Sequence, residues 1–266
     1  MGGDINAFQQ LYAGFHRQLK GYLYRLLTDR EDVEDIAHDT FIKAFERIGQ
    51  YKGESSFRTW VFSIATNLAY DVLKRRKRWQ PDIKAQGKAL CMSDERVYNR
   101  IMTVAQASGE GAFQITDHIN HCFTCMSKTL LIEQQVAVLL KDVLDFSVKE
   151  IALILQKSND VTKHLLQDGR QTMMVIFDHR CTLINKKGVC NQCSELNGML
   201  NPKQDKQAAI NKVKLVRQSS KYDREKLYDL RAKLVATVDP MNSDGADLQD
   251  ILMQCDRLAI GEIQSI

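Results

Sequence analysis

Proline and glycine are scarce in this chain of 266 residues, which contains three prolines and 14 glycines. A proline inside a helix costs about 3 kcal/mol, so a mostly helical chain confines its prolines to boundaries. Convincing runs of alternating apolar and polar residues, which would indicate β-strands, are missing as well. We therefore predict an all-α fold.

Long apolar runs are also missing, since none approaches the roughly 18 residues that a membrane span needs. The first ten residues, MGGDINAFQQ, lack the apolar core of a signal peptide. We therefore expect a cytoplasmic protein without membrane insertion. Seven cysteines, an odd number, argue against a disulfide framework in that compartment. The net charge of +4 is small, so the positions of the charges are more informative than their sum.

Apolar residues recur at helical spacing along most of the chain. They predict a first helix over 8–26, a second over 33–48 and a third from about 56 to 78. Helical spacing resumes at about 130 and continues to about 177. The polar stretch before it contains one amphipathic piece, at 97–104, and is predicted to be a partly structured linker.

A dense group of aromatic and basic residues, FRTWVFSIATNLAYDVLKRRKRW, occupies 57–79. Core packing and a solvated helix end would explain these residues one by one, and we expect Trp60 to pack in the core. Five consecutive cations on a helix would point all round it, which a single solvated face does not explain. Lysine and arginine bind phosphates, and bases stack on aromatic rings for about 1–3 kcal/mol each. The segment therefore predicts contact with single-stranded DNA.

Two capping-box patterns mark the starts of predicted helices. Thr28 and Glu31 precede the second helix, and Ser147 and Glu150 precede a short apolar helix. After a turn at 156–157, Ser158 is the expected N-cap of the next helix.

Residues 147–170 thus predict a helix-turn-helix, whose second helix lies in the DNA major groove. Its inner face would carry Val161, Leu165 and Leu166. Its outer face would carry side chains able to hydrogen-bond base edges or phosphates: Asn159, Asp160, Thr162, Lys163, His164, Gln167 and Arg170. Two ordinary packed helices would give a similar pattern.

These features resemble those of bacterial RNA polymerase sigma factors of the extracytoplasmic-function (ECF) group. VEDIAHDTFIKAF and YKGESSFRTWVFSIATNLAYDVLKRRKR are similar to region 2 of that group, and residues 128–173 are similar to its region 4. The resemblance implies region 2 over 1–80, a linker over 81–120, a helix-turn-helix region 4 over 121–180 and a cysteine-containing helical C-terminal extension over 181–266.

The resemblance also implies roles for particular residues. Such factors bind core RNA polymerase through an acidic helix, which would here use Asp35, His38, Asp39 and Phe41. Region 2 would capture a flipped base and the displaced strand of the −10 element, with Asn67 at the base-reading position. Its contacts would be Lys52, Ser56, Arg58, Asn67, Tyr70, Asp71, Lys74, Arg75 and Arg76. Capture of unpaired bases favours melting, and region 4 would read the −35 element as duplex.

Four positions depart from the family pattern. Thr66 stands where a basic residue is usual, and Leu165 and Asp168 stand where arginine is common. Gly169 replaces a usual alanine, which costs about 1 kcal/mol in a helix. Fewer cations in the recognition helix should weaken its phosphate contacts, so region 4 departs more from the pattern than region 2 does.

Two C-x-x-C pairs flank the region 4 resemblance, and 64 residues lie between them. Two such pairs can form a tetrahedral zinc site, although compact fingers separate the pairs by only about 15–20 residues. We therefore predict a structural zinc ion on Cys122, Cys125, Cys190 and Cys193. A redox or metal sensor and ordinary reduced thiols are the alternatives. Cys255, on an apolar stripe, is predicted to pack in the core.

The leading prediction is a promoter-specificity subunit of RNA polymerase. Its partners would be core polymerase, duplex and single-stranded promoter DNA and, as a hypothesis, an anti-sigma factor. It would be no enzyme and would require no cofactor beyond the hypothetical structural zinc. The alternatives are a stand-alone helix-turn-helix regulator, a metal- or thiol-sensing sigma factor and a zinc- or thiol-dependent enzyme. Apolar stripes within 203–266 suggest autoinhibition or docking of an anti-sigma factor.

Overall fold

A computed structural model describes residues 5–107, 113–203, 210 and 213–266 of the chain. The described residues contain no strand beyond an isolated bridge between Cys181 and Cys190, so the all-α prediction is confirmed. The helices are α1 (Ile5–Leu27), α2 (Arg30–Glu46), α3 (Phe57–Leu73), α4 (Ile83–Ser93), α5 (Glu95–Ala107), α6 (Ile115–Ser127), α7 (Ile132–Val138), α8 (Val148–Leu155), α9 (Asn159–Arg180), α10 (Gln192–Leu200), α11 (Lys214–Arg217), α12 (Arg224–Ala236) and α13 (Ala246–Ala259). A 3₁₀ turn at Ile48–Gln50 follows α2, and a π-helical turn at Leu139–Val143 extends α7. None of the described helices has the length and apolar character of a membrane span.

The chain forms two compact units. The first contains residues 1–77 and 131–169, and the second contains 78–130 and 170–266. The first unit therefore combines α1, α2 and α3 with α7, α8 and the beginning of α9. The second combines α4, α5 and α6 with the rest of α9 and all helices after it.

The core of the first unit lies between α1, α2 and α3, which pack on one another pairwise. Leu19, Val33 and Phe62 are fully buried there, as their spacing predicts. Helix α8 packs on the same α3, and Phe146, just before α8, places its ring centroid 5.0 Å from that of Phe62. The helix-turn-helix and the region-2-like helices thus share one core.

Local sequence sets most helix ends in this unit. Ser147 and Glu150 form the predicted capping box of α8. The capping box predicted at Thr28 is wrong, because Thr28 has a left-handed backbone (φ 56°) that closes α1. Asp29 caps α2 instead, and its Oδ1 accepts the N–H groups of Glu31 at 2.9 Å and of the next residue at 3.3 Å.

Helix α3 ends at Leu73, and the expectation that it continues to Arg78 is wrong. The cations that follow lie in turns, and Arg76 folds back toward the start of α2. Its guanidinium pairs with Asp32 and donates to the carbonyl oxygen of Leu27 at 2.5 Å. These contacts fix the end of α3 against the α1–α2 turn.

Helix α6 is the centre of the second unit, where Ile119 and Phe123 are buried. Helices α10, α12 and α13 all pack on α6, and α13 also packs on α4 and α5. The stretch predicted as a partly structured linker, 81–120, is therefore largely helical and packs with the predicted C-terminal extension. The functional boundaries at 80, 120 and 180 remain a prediction, since the compact units divide the chain differently.

A disulfide joins Cys91 of α4 to Cys255 of α13, with their Cα atoms 6.3 Å apart. Cys255 is buried as predicted, and this single disulfide leaves the other five cysteines free, so the described cysteines form no disulfide framework. The sequence separation of 164 residues hides the pairing, which arises only because α4 and α13 pack side by side.

Candidate nucleic-acid interface and cysteine clusters

The loop before α3 and the first turns of that helix enclose a cavity. Ser56 caps α3 by accepting the N–H of Thr59 at 3.1 Å, and the hydroxyl of Tyr51 donates to the carbonyl oxygen of Ser55 at 2.5 Å. The cavity measures about 220 Å³ and is lined by Gln50, Tyr51, Lys52, Glu54, Ser55, Thr59, Trp60, Ser63 and Leu153. A loop folded in this way presents polar groups beside aromatic surface.

Two aromatic rings border this cavity, Tyr51 and Trp60, with ring centroids 5.3 Å apart. Trp60 is only half-buried, so the expectation that it packs in the core is wrong. Neither ring is among the predicted −10 contacts. The signal that could have identified them is the glycine at Gly53, whose φ of 73° turns the loop back over α3.

Four of the predicted −10 contacts, Asn67, Asp71, Lys74 and Arg75, are exposed and follow one another at helical spacing along the end of α3. Lys52, at the rim of the cavity, is exposed as well. This polar row, defined by Asn67 and Asp71 of α3 and by Lys74 and Arg75 just after it, offers hydrogen-bonding and cationic groups to solvent.

The remaining predicted −10 contacts make internal interactions. Ser56 is the cap of α3, and Arg76 is anchored as described. Arg58 donates to the carbonyl oxygen of Leu144 at 3.1 Å, and its guanidinium carbon lies 3.9 Å from the ring centroid of Phe146. Tyr70 is half-buried, and burial raises the pKa of its hydroxyl. These side chains support the surface more than they form it.

The burial of Thr66 explains why this position lacks the basic residue that is usual in the family pattern. Its side chain is fully buried, its hydroxyl donates to the carbonyl oxygen of Phe62 at 2.7 Å, and it is 2.9 Å from the hydroxyl of Tyr22. A cation at this position would point into the core. The missing basic residue therefore reflects packing between α3 and α1.

The acidic face of α2 is exposed at Asp35, His38 and Asp39. Phe41, predicted with them, is half-buried and packs edge-to-face on Phe8 and Tyr12, with ring centroids 5.1 Å away in both cases. The surface thus consists of two carboxylates and an imidazole above an aromatic layer that holds α2 on α1.

The second helix of the helix-turn-helix, α9, begins after Ser158 as predicted, but its buried face differs from the prediction. Thr162, assigned to the outer face, is fully buried, and its hydroxyl donates to the carbonyl oxygen of Ser158 at 2.9 Å. Val161, assigned to the inner face, is 43% exposed. Packing of Thr162, Leu166 and Gly169 at helical spacing sets this orientation.

Arg170, also predicted for the outer face of α9, is partly buried. The other residues predicted for that face are exposed: Asn159, Asp160, Lys163, His164 and Gln167. Lys163 and Asp160 pair at 3.1 Å, so one cation of this face is already partly compensated. At Gly169, an added Cβ would lie 2.9 Å from Val138 Cγ2. The glycine thus permits the close approach of α9 to α7, which explains why alanine is missing there.

Cys125 belongs to a buried polar network in the second unit. Its Sγ donates to Asp256 Oδ2 at 3.2 Å, and Lys84 Nζ lies 3.0 Å from the same carboxylate and contacts His121 Nε2. The ligand atoms of His121, Cys125 and Asp256 all lie within 4.8 Å of one another, as in a metal site. However, the ammonium of Lys84 already supplies a cation there.

The protonation states fit an ion-pair network. Burial opposes the charge of Asp256, but Lys84 and His121 lower the pKa of its carboxyl below the usual range. Burial and the charge of Lys84 lower the pKa of His121 to about 4, so its imidazole is neutral at pH 7. The structure therefore assigns Cys125 to this network.

The other three predicted zinc ligands lie elsewhere in the second unit and are not part of this group of ligand atoms. Cys122 projects from α6, Cys190 lies in the loop after α9, and Cys193 lies in the first turn of α10, which packs on α6. Cys181, immediately after α9, forms the isolated bridge with Cys190. No C-x-x-C spacing marks Cys181, so the sequence does not reveal this pairing.

The described part of the chain is all-α and combines a polar row at the end of α3 with a helix-turn-helix whose first helix, α8, packs on α3. The sigma-70 region 2 family model matches residues 11–79. The RNA polymerase sigma-H factor of Pseudomonas aeruginosa and the ECF RNA polymerase sigma-E factor of Haemophilus influenzae are each 36% identical over 80 residues, which cover 30% of this chain and 42% of each relative. These matches, together with several further ECF relatives, show that residues 11–79 are similar to region 2 of sigma factors.

Longer matches extend beyond region 2. The ECF RNA polymerase sigma factor SigG of Mycobacterium tuberculosis is 25% identical over 186 residues, which cover 65% of this chain and 49% of that protein. The chain thus spans less than half the length of these three curated relatives. Among solved structures, CnrH in complex with the cytosolic domain of CnrY is similar with a TM-score of 0.46 and 19% identity, covering 66% of this chain and 90% of that chain.

Proposed function

We propose that the protein is a promoter-specificity subunit that binds core RNA polymerase, recognises −35 and −10 promoter elements and melts the −10 DNA. The observation that carries the proposal is the coincidence of the region 2 match with an exposed polar row and an aromatic-lined cavity on the same stretch, 50–75. The polymerase performs the chemistry, and this chain supplies recognition without a catalytic group or required cofactor.

The −10 role rests on complementary parts of the first unit. The cavity beside Tyr51 and Trp60 would receive a flipped base, which gains stacking only once it leaves the duplex. Asn67 would read a neighbouring base edge, and Lys74 and Arg75 would bind phosphates of the displaced strand. Because all these contacts favour the single strand, binding energy would drive melting.

The polymerase-binding role is assigned to Asp35, His38 and Asp39, whose exposed side chains would meet a basic surface of the polymerase. Phe41 would act indirectly, since it holds α2 on α1. The −35 role is assigned to Asn159, Lys163, His164 and Gln167 on the outer face of α9, where side chains of these types bind base edges and phosphates.

A C-terminal docking surface for an anti-sigma factor stays a hypothesis. The apolar stripe of α13 is buried in the second unit, with Leu248 and Ile251 almost fully covered, and that helix packs on α4, α5 and α6. The stripe therefore stabilises the unit itself. It gives the extension a folding role without requiring a partner protein.

Transcription in vitro tests the proposal. Core polymerase would be supplied with genomic DNA, with or without the purified protein, and new transcript ends would be mapped. We expect a set of starts that depends on the protein, and Asn67→Ala should relax base preference at one −10 position. The matched control is Asn99→Ala, an exposed asparagine on α5. Absence of protein-dependent starts, together with tight binding to duplex DNA alone, would favour the stand-alone regulator.

A further inference from the structure

The second unit contains a cavity of about 210 Å³ between α4, α5, α10 and α13. Each of these helices turns one face toward it: Cys91 lies on α4, Ile101 on α5, Leu196 on α10 and Leu252 on α13. His118 of α6 lines the cavity as well. The walls come from distant parts of the sequence, so no single segment reveals the cavity.

Two features hold α4 and α13 together beside this cavity. An added Cβ at Gly87 would lie 3.2 Å from the Cα atom of Asp256, so a side chain at position 87 would push the two helices apart. The disulfide between Cys91 and Cys255 joins the same helices, and both cysteines line the cavity. This part of the wall is therefore fixed before a ligand arrives, which lowers the cost of binding one.

Most of the wall is apolar or carries sulfur. Ile101, Leu196 and Leu252 supply aliphatic surface, and Met199 adds a flexible thioether that adapts to the shape of its neighbours. A buried water molecule needs two to four polar partners, which such a wall does not provide. An apolar ligand, in contrast, would gain contacts along most of its surface.

The charged groups deep in the cavity are compensated within the protein. Lys84 and Asp256 are 5% and 2% exposed, and they pair at 3.0 Å. His121 contacts the same ammonium, and Cys125 donates to the same carboxylate at 3.2 Å. An ion that entered the cavity would lose its hydration and gain no unpaired countercharge from this pair. The cavity therefore favours an uncharged ligand.

Exposed residues mark the opening of the cavity. Lys88 of α4 and Glu195 of α10 both line it, and their side chains are about half exposed. Lys88 Nζ lies 2.7 Å from Glu195 Oε2, so this ion pair links the two helices at the surface. Exposed ion pairs are weak. The pair can therefore separate and admit a ligand at little cost.

His118 offers one hydrogen-bond acceptor at the buried end. Its Nδ1 lies 2.9 Å from Gln249 Oε1, an atom that only accepts, so Nδ1 carries the proton. Burial lowers the pKa of this imidazole well below 6.5, which keeps the ring neutral at pH 7. In the neutral ring Nε2 is an acceptor. A single hydroxyl group on a ligand can therefore be accommodated.

We propose that this cavity binds an uncharged, largely apolar molecule of about eight non-hydrogen atoms, such as a single-ring aromatic alcohol. An apolar cavity of about 150 Å³ is large enough for benzene, so the larger volume here leaves room for a ring with a short substituent. The bound molecule would stabilise the second unit, because the unfolded chain has no such site. This site does not depend on the proposed role in transcription.

Calorimetric titration with two molecules of equal size tests the class of ligand. The full-length protein would be kept without reductant, so that the disulfide between Cys91 and Cys255 stays intact, and titrated at pH 7 with benzyl alcohol and with benzylammonium. We expect benzyl alcohol to bind with a dissociation constant below about 1 mM. Benzylammonium should bind at least about tenfold more weakly, because its charge finds no partner. Absence of benzyl alcohol binding, or equal binding of both molecules, would overturn the proposal.

A variant pair tests the location. Met199→Trp should fill the cavity and weaken the binding of benzyl alcohol at least about tenfold. Val175→Trp, which adds the same ring at an exposed position of α9, should leave the binding unchanged. Unchanged binding in a folded Met199→Trp protein would contradict the assigned cavity.

A further measurement needs only the wild-type protein, so it does not depend on the folding of a variant. Nuclear Overhauser effects would be recorded between the ring protons of benzyl alcohol and the methyl groups of the methyl-labelled protein. We expect contacts with Ile101, Leu196 and Leu252. Contacts confined to methyl groups elsewhere in the chain would place the ligand at another site and overturn the proposal.

Discussion

Replacing Lys74 and Arg75 with glutamine should change how promoter binding depends on salt. Both side chains are exposed at the end of α3, and the proposed function assigns them to phosphates of the displaced strand. Each phosphate contact on a single strand contributes about −0.7 to the slope of log K against log salt. Removing two contacts should therefore reduce the slope by about 1.4. Over a fourfold rise in salt, the wild type should lose about sevenfold more affinity than the double variant.

The assay is titration of the reconstituted polymerase holoenzyme against a fluorescent promoter fragment whose −10 region is single-stranded, at several salt concentrations. Arg96→Gln with Arg100→Gln is the matched control, because it removes two exposed cations from α5. The control should keep the wild-type slope. An equal reduction in both double variants would mean that net charge alone sets the salt dependence. An unchanged slope in the Lys74 and Arg75 variant would refute the assigned contacts.

Three further predictions concern stability. Arg76→Gln should lower the free energy of unfolding by about 1–3 kcal/mol, because it breaks a partly buried pair with Asp32. Arg75→Gln, the control, should leave the free energy of unfolding nearly unchanged. Urea titration measures both variants. Thr66→Lys restores the usual family residue type but should lower the free energy of unfolding by at least about 3 kcal/mol, because it would bury an unpaired charge. Wild-type stability in this variant would contradict the described packing of α3. Burial lowers the pKa of His118 well below 6.5, and the nearby His121 and Lys84 lower it further. The contribution of this imidazole to the free energy of unfolding is therefore fully present above about pH 6.5 and is lost as the pH falls. Unfolding followed from pH 7 to 5 should show a decline approaching about 1.4 kcal/mol per pH unit for this proton, and His118→Gln should make the decline shallower.

Features that depend on neighbouring residues were predictable from the sequence. Ser147 and Glu150 specify the start of α8 through contacts within four residues, and the structure has that capping box. Ser158 likewise precedes α9, where its Oγ accepts the N–H of Val161 at 3.2 Å. The apolar residues that recur at helical spacing in α1 and α2 are the ones buried in the structure, because amphipathic spacing indicates which face of a helix is buried.

Features that depend on tertiary contacts were not predictable. Val161 and Thr162 are adjacent, and only the approach of α9 to α7 at Gly169 decides that the threonine is the buried one. Basic residues are compatible with a helix, so the sequence could not show that Arg76 leaves α3 to pair with Asp32.

The cysteines show the same limit. C-x-x-C spacing pairs Cys122 with Cys125 in sequence, but successive turns of α6 face different neighbours. Cys125 contacts Asp256 of α13 inside a buried ion-pair network, which no spacing in the sequence indicates. Cys181 and Cys190 become neighbours only because the loop after α9 closes on itself.

Binding to core RNA polymerase tests the central proposal most directly. The protein and core polymerase would be mixed without DNA, and their affinity would be measured for wild type, for Asp35→Lys with Asp39→Lys, and for a control with Asp244→Lys and Asp247→Lys in the second unit. We expect wild type and control to bind core polymerase far more tightly than duplex DNA, and the α2 variant to lose that binding. Binding to duplex DNA with no affinity for core polymerase would contradict a sigma factor, and equal core binding by all three proteins would contradict the assigned surface.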